Sequence, residues 1–235
     1  MKKFVAIISS VLVFTLMSSS VFAFAMITDT FPDVDENTDY YESIYWMAEN
    51  GVINGHPDGT FKPDHCVNRA EMLKMLFETT GEDLEDMAAG GGAYPDVYPD
   101  EWYFLYIKKA SIKGIVSGYP DGWFRPEQCV NRVEAIKMGI NEFDIEFKHE
   151  DLGWGWADLY MDEWYFEYVF TSLLRNLVGL EHVYTFDNGT MANQYFSPAD
   201  PMSRKEAAEM LYRMKALVDN GAEVYDETLV PNPIP

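Results

Sequence analysis

The fold of this protein is decided by the stretch Val67-Asn68-Arg69-Ala70-Glu71, which recurs as Val130-Asn131-Arg132-Val133-Glu134 and as Met202-Ser203-Arg204-Lys205-Glu206. Each copy has the pattern of a helix start. An Asn or Ser is suited to the N-cap, a Glu three residues later completes a capping box, and an apolar run follows. The three copies therefore predict three repeats.

Helix capping does not explain the arginine in each copy. A cation in the first turn opposes the helix dipole, which favours anions at that end. A guanidinium beside free helix N–H groups is, however, suited to binding an anion. We therefore predict an anion site at Arg69, Arg132 and Arg204, and a salt bridge to a neighbouring repeat is the alternative.

The composition predicts a folded, exported protein. The 235 residues are 48% hydrophobic and 15% aromatic, which is enough to build a core. Residues 1–25 have the pattern of a signal peptide, with Lys2 and Lys3, an apolar run that ends at Met17, and small residues up to Ala25. An uncleaved anchor is less favoured because that run is shorter than the ~20 residues that span a bilayer. We expect no membrane span after cleavage.

The charge restricts the partners. A formal net charge of −22 repels phosphate backbones and anionic membrane surfaces at long range, which argues against nucleic acid. Any anionic ligand must therefore be held by local cations.

The first two repeats align without a gap, because Asp33, Gly55, Phe61 and Arg69 all recur 63 residues later. We assign 26–80 to repeat one, 81–93 to a Gly-rich linker, 94–145 to repeat two, 146–155 to a second linker and 156–221 to repeat three. The aspartates of repeats two and three are 62 residues apart and the arginines 72, so about ten residues are inserted between Leu180 and Phe196. Residues 222–235 are expected to form an extended, mobile tail.

The two cysteines, Cys66 and Cys129, occupy the same position in repeats one and two. A disulfide is compatible with export, but equivalent positions of symmetric repeats come within the required ~7 Å only near the symmetry axis. Two separate, half-buried thiols are the favoured interpretation and a disulfide is the alternative. A metal site is less favoured still, since no second Cys or His stands at ligand spacing.

Four pieces in fixed order resemble the S-layer homology motif. They are Phe-Pro-Asp-Val, a Trp-Tyr pair six residues after the Asp, Gly-Tyr-Pro-Asp-Gly-x-Phe-x-Pro, and Asn-Arg-x-Glu, and the copies cover nearly all of 31–220. The resemblance implies a mainly α fold, in which three repeats form a pseudo-threefold helical spindle with a central three-helix bundle and loop prongs.

The resemblance also implies a function. Family members bind cell-wall glycans in grooves between the repeats, often secondary polymers with ketal-linked pyruvate, and so hold a protein at the cell surface without covalent attachment. We therefore expect a non-enzymatic protein of the cell wall or S-layer, with cell-wall polysaccharide and possible further surface-layer proteins as partners.

Two further sets of groove residues follow from the resemblance. The Asp of the opening turn is matched by Asp33, Asp96 and Asp158, for which the alternative is an Asx turn or cap that holds the loop. The Gly of the Gly-Tyr-Pro-Asp-Gly loop is matched by Gly55 and Gly118, where the missing side chain would let a ligand approach the backbone.

Two tryptophans complete the candidate site. Trp102 and Trp164 could stack on sugar faces, although core anchoring is the favoured interpretation for large aromatic residues. Repeat one has Asp39 at the Trp position and His56 where repeat two has Tyr119. We therefore expect the groove built mainly from repeat two to be the most complete, with Arg132 as its arginine.

Other chemistries have little support. The segment 33–39 resembles the start of a calcium loop but lacks the Gly at the sixth position and the Glu at the twelfth. The histidines have no Cys or Ser partner at a recognisable spacing, and no motif marks out a carboxylate pair. We predict no enzyme, no cofactor and no metal. A protein-binding structural subunit and a wall-active hydrolase remain the rival interpretations.

Overall fold

A computed structural model describes residues 31–84, 94–148, 158–179, 184–186 and 193–234. They contain the helices α1 (Tyr41–Glu49), α2 (Arg69–Thr80), α3 (Phe104–Ile112), α4 (Arg132–Glu142) and α5 (Phe166–Leu174), a hairpin of β1 (Tyr184–Phe186) and β2 (Asn193–Tyr195), and α6 (Arg204–Asp219). The prediction of a mainly helical fold is confirmed. The predicted signal peptide lies outside the described residues. So do residues 85–93 of the first predicted linker and residues 149–155 of the second.

The second helix of each repeat begins at the motif arginine. In repeat one the N–H of Glu71 donates to the Asn68 side chain at 2.8 Å, and the Glu71 carboxylate accepts the Asn68 N–H at 3.0 Å. Repeats two and three form the same reciprocal pair around Asn131 and Ser203. All three predicted capping boxes are therefore present, and they fix where the three helices start.

These three helices, α2, α4 and α6, contact one another pairwise. Their facing sides carry buried apolar residues, namely Leu73, Leu76, Ile136, Met210, Leu211 and Met214. The helices approach closely at Gly139, where an added Cβ would lie 2.5 Å from Met214 Sδ. Burial of each large side chain contributes about 1.5–3 kcal/mol, so this contact region holds the repeats together.

A ring of three backbone hydrogen bonds joins the repeats beside the helix starts. The N–H of Val67 donates to the carbonyl of Met202 at 2.9 Å, Met202 donates to Val130 at 3.0 Å, and Val130 donates to Val67 at 3.0 Å. Each repeat therefore donates one bond and accepts one, which is the pattern of a threefold arrangement.

The cysteines lie next to this ring, one residue before Val67 and Val130. Their Cα atoms are 5.8 Å apart and a disulfide joins them. The favoured prediction of two separate thiols is therefore wrong, because the position lies where the three repeats converge. In repeat three the equivalent position is Pro201, which pairs with Asn131 across the same junction.

The third repeat reproduces the loop geometry of the first two despite its insertion. The Asp158 carboxylate accepts the N–H groups of Phe196 and Ser197, which lie 38 and 39 residues further on, whereas the equivalent separations in repeat one are 28 and 29. The insertion is therefore ten residues long at this point. The β1–β2 hairpin lies within it, and the sequence did not predict those strands.

The tail packs on the body of the protein instead of extending freely. Its residues from 222 to 234 form no helix or strand, but Tyr225 is buried and its N–H donates to the Arg175 carbonyl at 2.9 Å. Near the end, the Ile234 N–H donates to Asn50 Oδ1 at 3.1 Å. The expectation of a mobile tail is therefore corrected, since a buried Tyr and these hydrogen bonds hold it in place.

Candidate functional site

The three motif arginines are buried, and each reaches into the next repeat. Arg69, Arg132 and Arg204 are 3%, 7% and 7% exposed. Each guanidinium donates to the backbone carbonyl of a phenylalanine in the following repeat. The pairs are Arg69 to Phe124 at 3.0 Å, Arg132 to Phe196 at 2.5 Å, and Arg204 to Phe61 at 2.9 Å.

Each arginine also forms an ion pair with the capping-box glutamate of that following repeat. The distances are 3.4 Å from Arg69 to Glu134, 2.8 Å from Arg132 to Glu206 and 3.9 Å from Arg204 to Glu71. The inter-repeat salt bridge, which the sequence offered as the alternative, is therefore present at all three positions. It extends around the molecule from each repeat to the next, whereas the N–H groups of the backbone ring donate in the opposite order.

The helix N–H groups next to the arginines are not free. The N–H of Arg69 donates to the Gln128 carbonyl at 2.9 Å, and the N–H of Ala70 donates to the Pro126 carbonyl at 3.1 Å. Equivalent bonds bind α4 to the loop of repeat three and α6 to the loop of repeat one. The neighbouring repeat therefore already occupies the helix N–H donors that an anion bound beside each arginine would use.

The aspartates of the opening turns hold loops. Both oxygens of Asp33 accept backbone N–H groups, from Phe61 at 2.8 Å and from Lys62 at 2.7 Å. Asp96 and Asp158 accept the equivalent N–H groups in their own repeats. With both oxygens engaged in this way, these carboxylates position the loop that carries the aromatic residue of the arginine contact.

The two loop glycines make room for an aromatic ring of their own repeat. A Cβ added to Gly118 would lie 2.6 Å from Tyr94 Cε1 and 3.0 Å from the Trp123 carbonyl. At Gly55 the equivalent ring is Phe31, at 2.9 Å. Close packing of this ring accounts for both glycines, which differs from the ligand approach that the resemblance implied.

The tryptophans are surface residues. Trp102 is 50% exposed and Trp164 is 54% exposed, while the adjacent Tyr103 and Phe104 are buried. The favoured interpretation of Trp102 and Trp164 as core anchors is therefore wrong. Beside Trp102, Tyr103 and Phe104 fill that role, and both indole rings are available for contact with a ligand.

One cleft combines residues of all three repeats and has a volume of about 210 Å³. Repeat one contributes Arg69 and repeat three contributes Trp164. Repeat two provides the rest of the lining, which includes Ser117, Gly118, Tyr119, Pro120, Glu134, Lys137 and Met138. The structure thus brings Arg69, Gly118 and Trp164 together.

Arg132 lies elsewhere, which corrects the expectation that it belongs to the groove of repeat two. It lines a second cleft of about 10 Å³ with Tyr40, Val178, Gly179, Glu206 and Glu209. The physical reason is the direction of the side chain, since each motif arginine points into the following repeat and not into its own.

Two lysines beside the exposed tryptophans were missed by sequence reasoning, and Lys137 lines the larger cleft. Lys137 Nζ lies 5.3 Å from the centre of the Trp164 ring, and Lys74 Nζ lies 6.0 Å from that of Trp102. Both follow the capping-box glutamate by three residues, a spacing that places two side chains on the same face of a helix. Their recurrence at the repeat spacing was the signal that could have identified them.

Burial shifts the pKa of several groups at the repeat junctions. It lowers the pKa of Arg204, against the opposing effect of Glu71 and Asp33. Burial also lowers the pKa of His56, with Arg204 and Lys62 acting in the same direction. The pKa of the equivalent Tyr119 is raised by burial, although Arg69 opposes that shift.

The described residues lack two further features. They contain no group of three or more His, Cys, Asp or Glu side chains arranged to hold a metal ion. No helix among them has the length and apolar character needed to cross a bilayer.

Comparison with known proteins gives matches to surface proteins. Cell surface glycoprotein 1 of Acetivibrio thermocellus is 26% identical over 165 residues, which is 68% of this chain and 7% of that protein. The cellulosome-anchoring protein of the same organism is 31% identical over 111 residues, or 46% of this chain and 25% of that protein.

The middle cell wall protein of Brevibacillus brevis is 28% identical over 148 residues, or 62% of this chain and 14% of that protein. The chain thus spans a quarter or less of the length of these relatives. The family model of the S-layer homology domain matches two segments. Repeats one and two therefore match the S-layer homology domain, over residues 30–73 and 93–136.

Proposed function

We propose that this protein is exported and binds cell-wall glycan in the clefts between its repeats, and so provides non-covalent, non-enzymatic attachment to the cell surface. The observation that carries the proposal is the cleft of about 210 Å³, in which an exposed Trp164 stands beside Lys137 and Arg69. Aromatic faces stack on sugar rings, and cations bind acidic substituents. The names of the similar proteins support attachment to the cell surface.

The proposed ligand is a secondary cell-wall polymer that bears ketal-linked pyruvate. Its carboxylate requires a local cation, because the protein as a whole carries a formal charge of −22. We also propose that residues 156–221 are a diverged third S-layer homology repeat. This is supported by the Asp158 loop contacts, the Ser203 capping box and the Arg204 salt bridge, which follow repeats one and two.

Co-sedimentation with purified Gram-positive cell walls tests the proposal. The protein is expected to pellet with intact walls and to stay in solution after the secondary polymers have been extracted with hydrofluoric acid. Equal retention by extracted walls would contradict glycan binding and favour a protein-binding structural subunit. Release of soluble sugars from the walls would instead identify a hydrolase.

A further inference from the structure

Arg69 is poorly placed to bind a ligand in the cleft of about 210 Å³. Arg69 directs Nε to the Phe124 carbonyl at 3.0 Å, Nη2 to the Ser117 carbonyl at 3.4 Å and Nη1 to Glu134 at 3.4 Å. The Phe124 ring lies 4.4 Å from the centre of its guanidinium. A ligand that bound Arg69 would therefore have to compete with contacts that join two repeats.

Lys137 stands in the same cleft without such contacts. Its ammonium lies 5.3 Å from the centre of the half-exposed Trp164 ring, and no described carboxylate forms an ion pair with it. Other lysines of this acidic protein are ion-paired, namely Lys62, Lys109, Lys113, Lys205 and Lys215. The indole face attracts the cation, which keeps the ammonium in the cleft while its charge remains available to an anion.

The other repeats provide an internal comparison at the same position. Lys74 lies over Trp102 in the same manner, and the described residues provide it with no ion pair either. In repeat three the position is Glu209, which Arg213 holds at 2.5 Å. In repeat one, Asp39 replaces the tryptophan and pairs with Lys205 at 2.9 Å.

The sign of the local charge follows from this exchange. The charged lining of the large cleft is Arg69, Glu134 and Lys137, with a formal sum of +1. The charged lining of the small cleft is Arg132, Glu206 and Glu209, with a formal sum of −1, which becomes zero when Arg213, the partner of Glu209, is included. Because these groups lie in partly enclosed clefts, solvent screens them less than it screens exposed side chains.

We infer that Lys137, seated on Trp164, binds the anionic group of the ligand, that Lys74 and Trp102 form a second such position, and that the third, with Glu209 in place of the lysine, does not bind an anion. This inference rests on the proposed function and specifies its ligand as a sugar that carries a carboxylate. The exposed part of the indole takes the apolar face of the sugar, and the ammonium takes the carboxylate. A neutral sugar obtains the stacking contact alone and therefore binds more weakly.

Calorimetric titration with a defined sugar tests the inference. The probe is a methyl hexoside with a 4,6-ketal-linked pyruvate, and its methyl ester serves as the uncharged counterpart. Lys137→Met keeps the aliphatic stem and removes the charge, so we expect it to weaken binding of the acid about tenfold at that position and to leave the Lys74 position unchanged. The double variant Lys137→Met/Lys74→Met is expected to lose strong binding of the acid at both positions. Binding of the ester is expected to be the same in all variants.

Lys109→Met is the matched control, because it removes the same charge from a lysine that pairs with Glu82 outside the clefts. It is expected to bind the acid like the unaltered protein, and melting curves of every variant establish that it is folded. Undiminished binding of the acid by the double variant overturns the inference, even where the unaltered protein binds intact walls. An unaltered protein that binds walls but not the acid overturns the inference too. An unaltered protein that binds neither the walls nor the acid also refutes the proposed function.

Discussion

The buried arginines stabilise the contact between two repeats and not the helix in which each of them lies. Each opposes the dipole of the helix that it begins, yet each pairs with a carbonyl and a carboxylate of the next repeat. Such a cation is strongly coupled to its partners, since its removal leaves a carboxylate and a carbonyl unpaired in a partly enclosed site.

Substitution of Arg69 is therefore expected to destabilise the fold. Arg69→Met should lower the free energy of unfolding by about 3 kcal/mol, because Glu134 and the Phe124 carbonyl lose their partner. Urea denaturation measures the change. Arg125→Met is the control, since that arginine forms an exposed pair with Asp121 and should cost at most about 1 kcal/mol. Equal losses in the two variants would contradict the structural role.

The pKa shift of His56 predicts a pH-dependent stability. Burial, with Arg204 and Lys62, lowers the pKa of His56, against the opposing effects of Asp58 and Glu71, and its Nε2 is buried without a hydrogen-bond partner. The unfolded chain, with a pKa of about 6.5, then binds the proton more readily than the folded protein does. This contribution to stability is complete above that value and is lost as the pH falls below it.

Urea denaturation at pH 7.5 and pH 5.5 tests this expectation. His56→Tyr introduces the residue that repeat two has at the same position and removes the titrating group. The unaltered protein should lose more stability between the two pH values than the variant does. An identical loss in both would mean that His56 does not experience the environment described.

At the scale of elements, each loop is held to its own repeat by an aspartate and a tightly packed ring. Asp96 binds the Phe124 and Arg125 N–H groups, while Tyr94 occupies the space beside Gly118. The loop in turn presents the Phe124 carbonyl to Arg69. The accuracy of the junction between repeats therefore depends on packing within each repeat.

An added methyl group at Gly118 tests that dependence. Gly118→Ala should lower the free energy of unfolding by about 1–3 kcal/mol, because the new Cβ meets the Tyr94 ring at 2.6 Å and a backbone carbonyl at 3.0 Å. Replacement of Tyr94 by Leu in the same chain should recover part of the loss. If Gly118→Ala instead weakened glycan binding with no change in the melting temperature, a ligand-approach role would be favoured.

The elements also show which features the sequence could predict. The capping boxes, the helix starts and the ten-residue insertion were predictable, because local hydrogen-bond chemistry and repeat spacing determine them. The partners of Arg69 and Arg132 were not, since they depend on which repeat each helix faces. The exposure of Trp164 and the disulfide were predicted wrongly for the same reason, as both depend on contacts far apart in sequence. The β1–β2 hairpin has no counterpart in the other repeats, so the alignment of repeats gave no indication of it.

At the scale of the whole molecule, repeats one and two are joined covalently at the point where all three repeats meet. The Cys66–Cys129 disulfide spans 63 residues of sequence beside the ring of backbone hydrogen bonds. Repeat three has Pro201 at the same position and is joined there by hydrogen bonds without a covalent link. The docked tail adds a second link between repeats three and one through Ile234 and Asn50.

Reduction of the disulfide is expected to destabilise the protein as a whole. The chain-entropy treatment for a loop of this length gives a loss of about 4 kcal/mol in the free energy of unfolding. Thermal melts with and without reductant measure the loss. The double variant Cys66→Ser/Cys129→Ser serves as the control and should melt at the same lowered temperature in both conditions. If the melting temperature of the unaltered protein were the same with and without reductant, this result would contradict a stabilising disulfide.

The cyclic order of contacts has a consequence for how such a protein can change over time. Both described clefts take side chains from all three repeats, so a substitution in one repeat alters a junction shared with its neighbours. Loss of one repeat would leave donors and acceptors of the other two without partners, and a fourth repeat would find no place in a ring already closed. The repeating segment of the sequence is therefore not the unit that forms a cleft. No repeat can be inherited, lost or exchanged as an independent binding module.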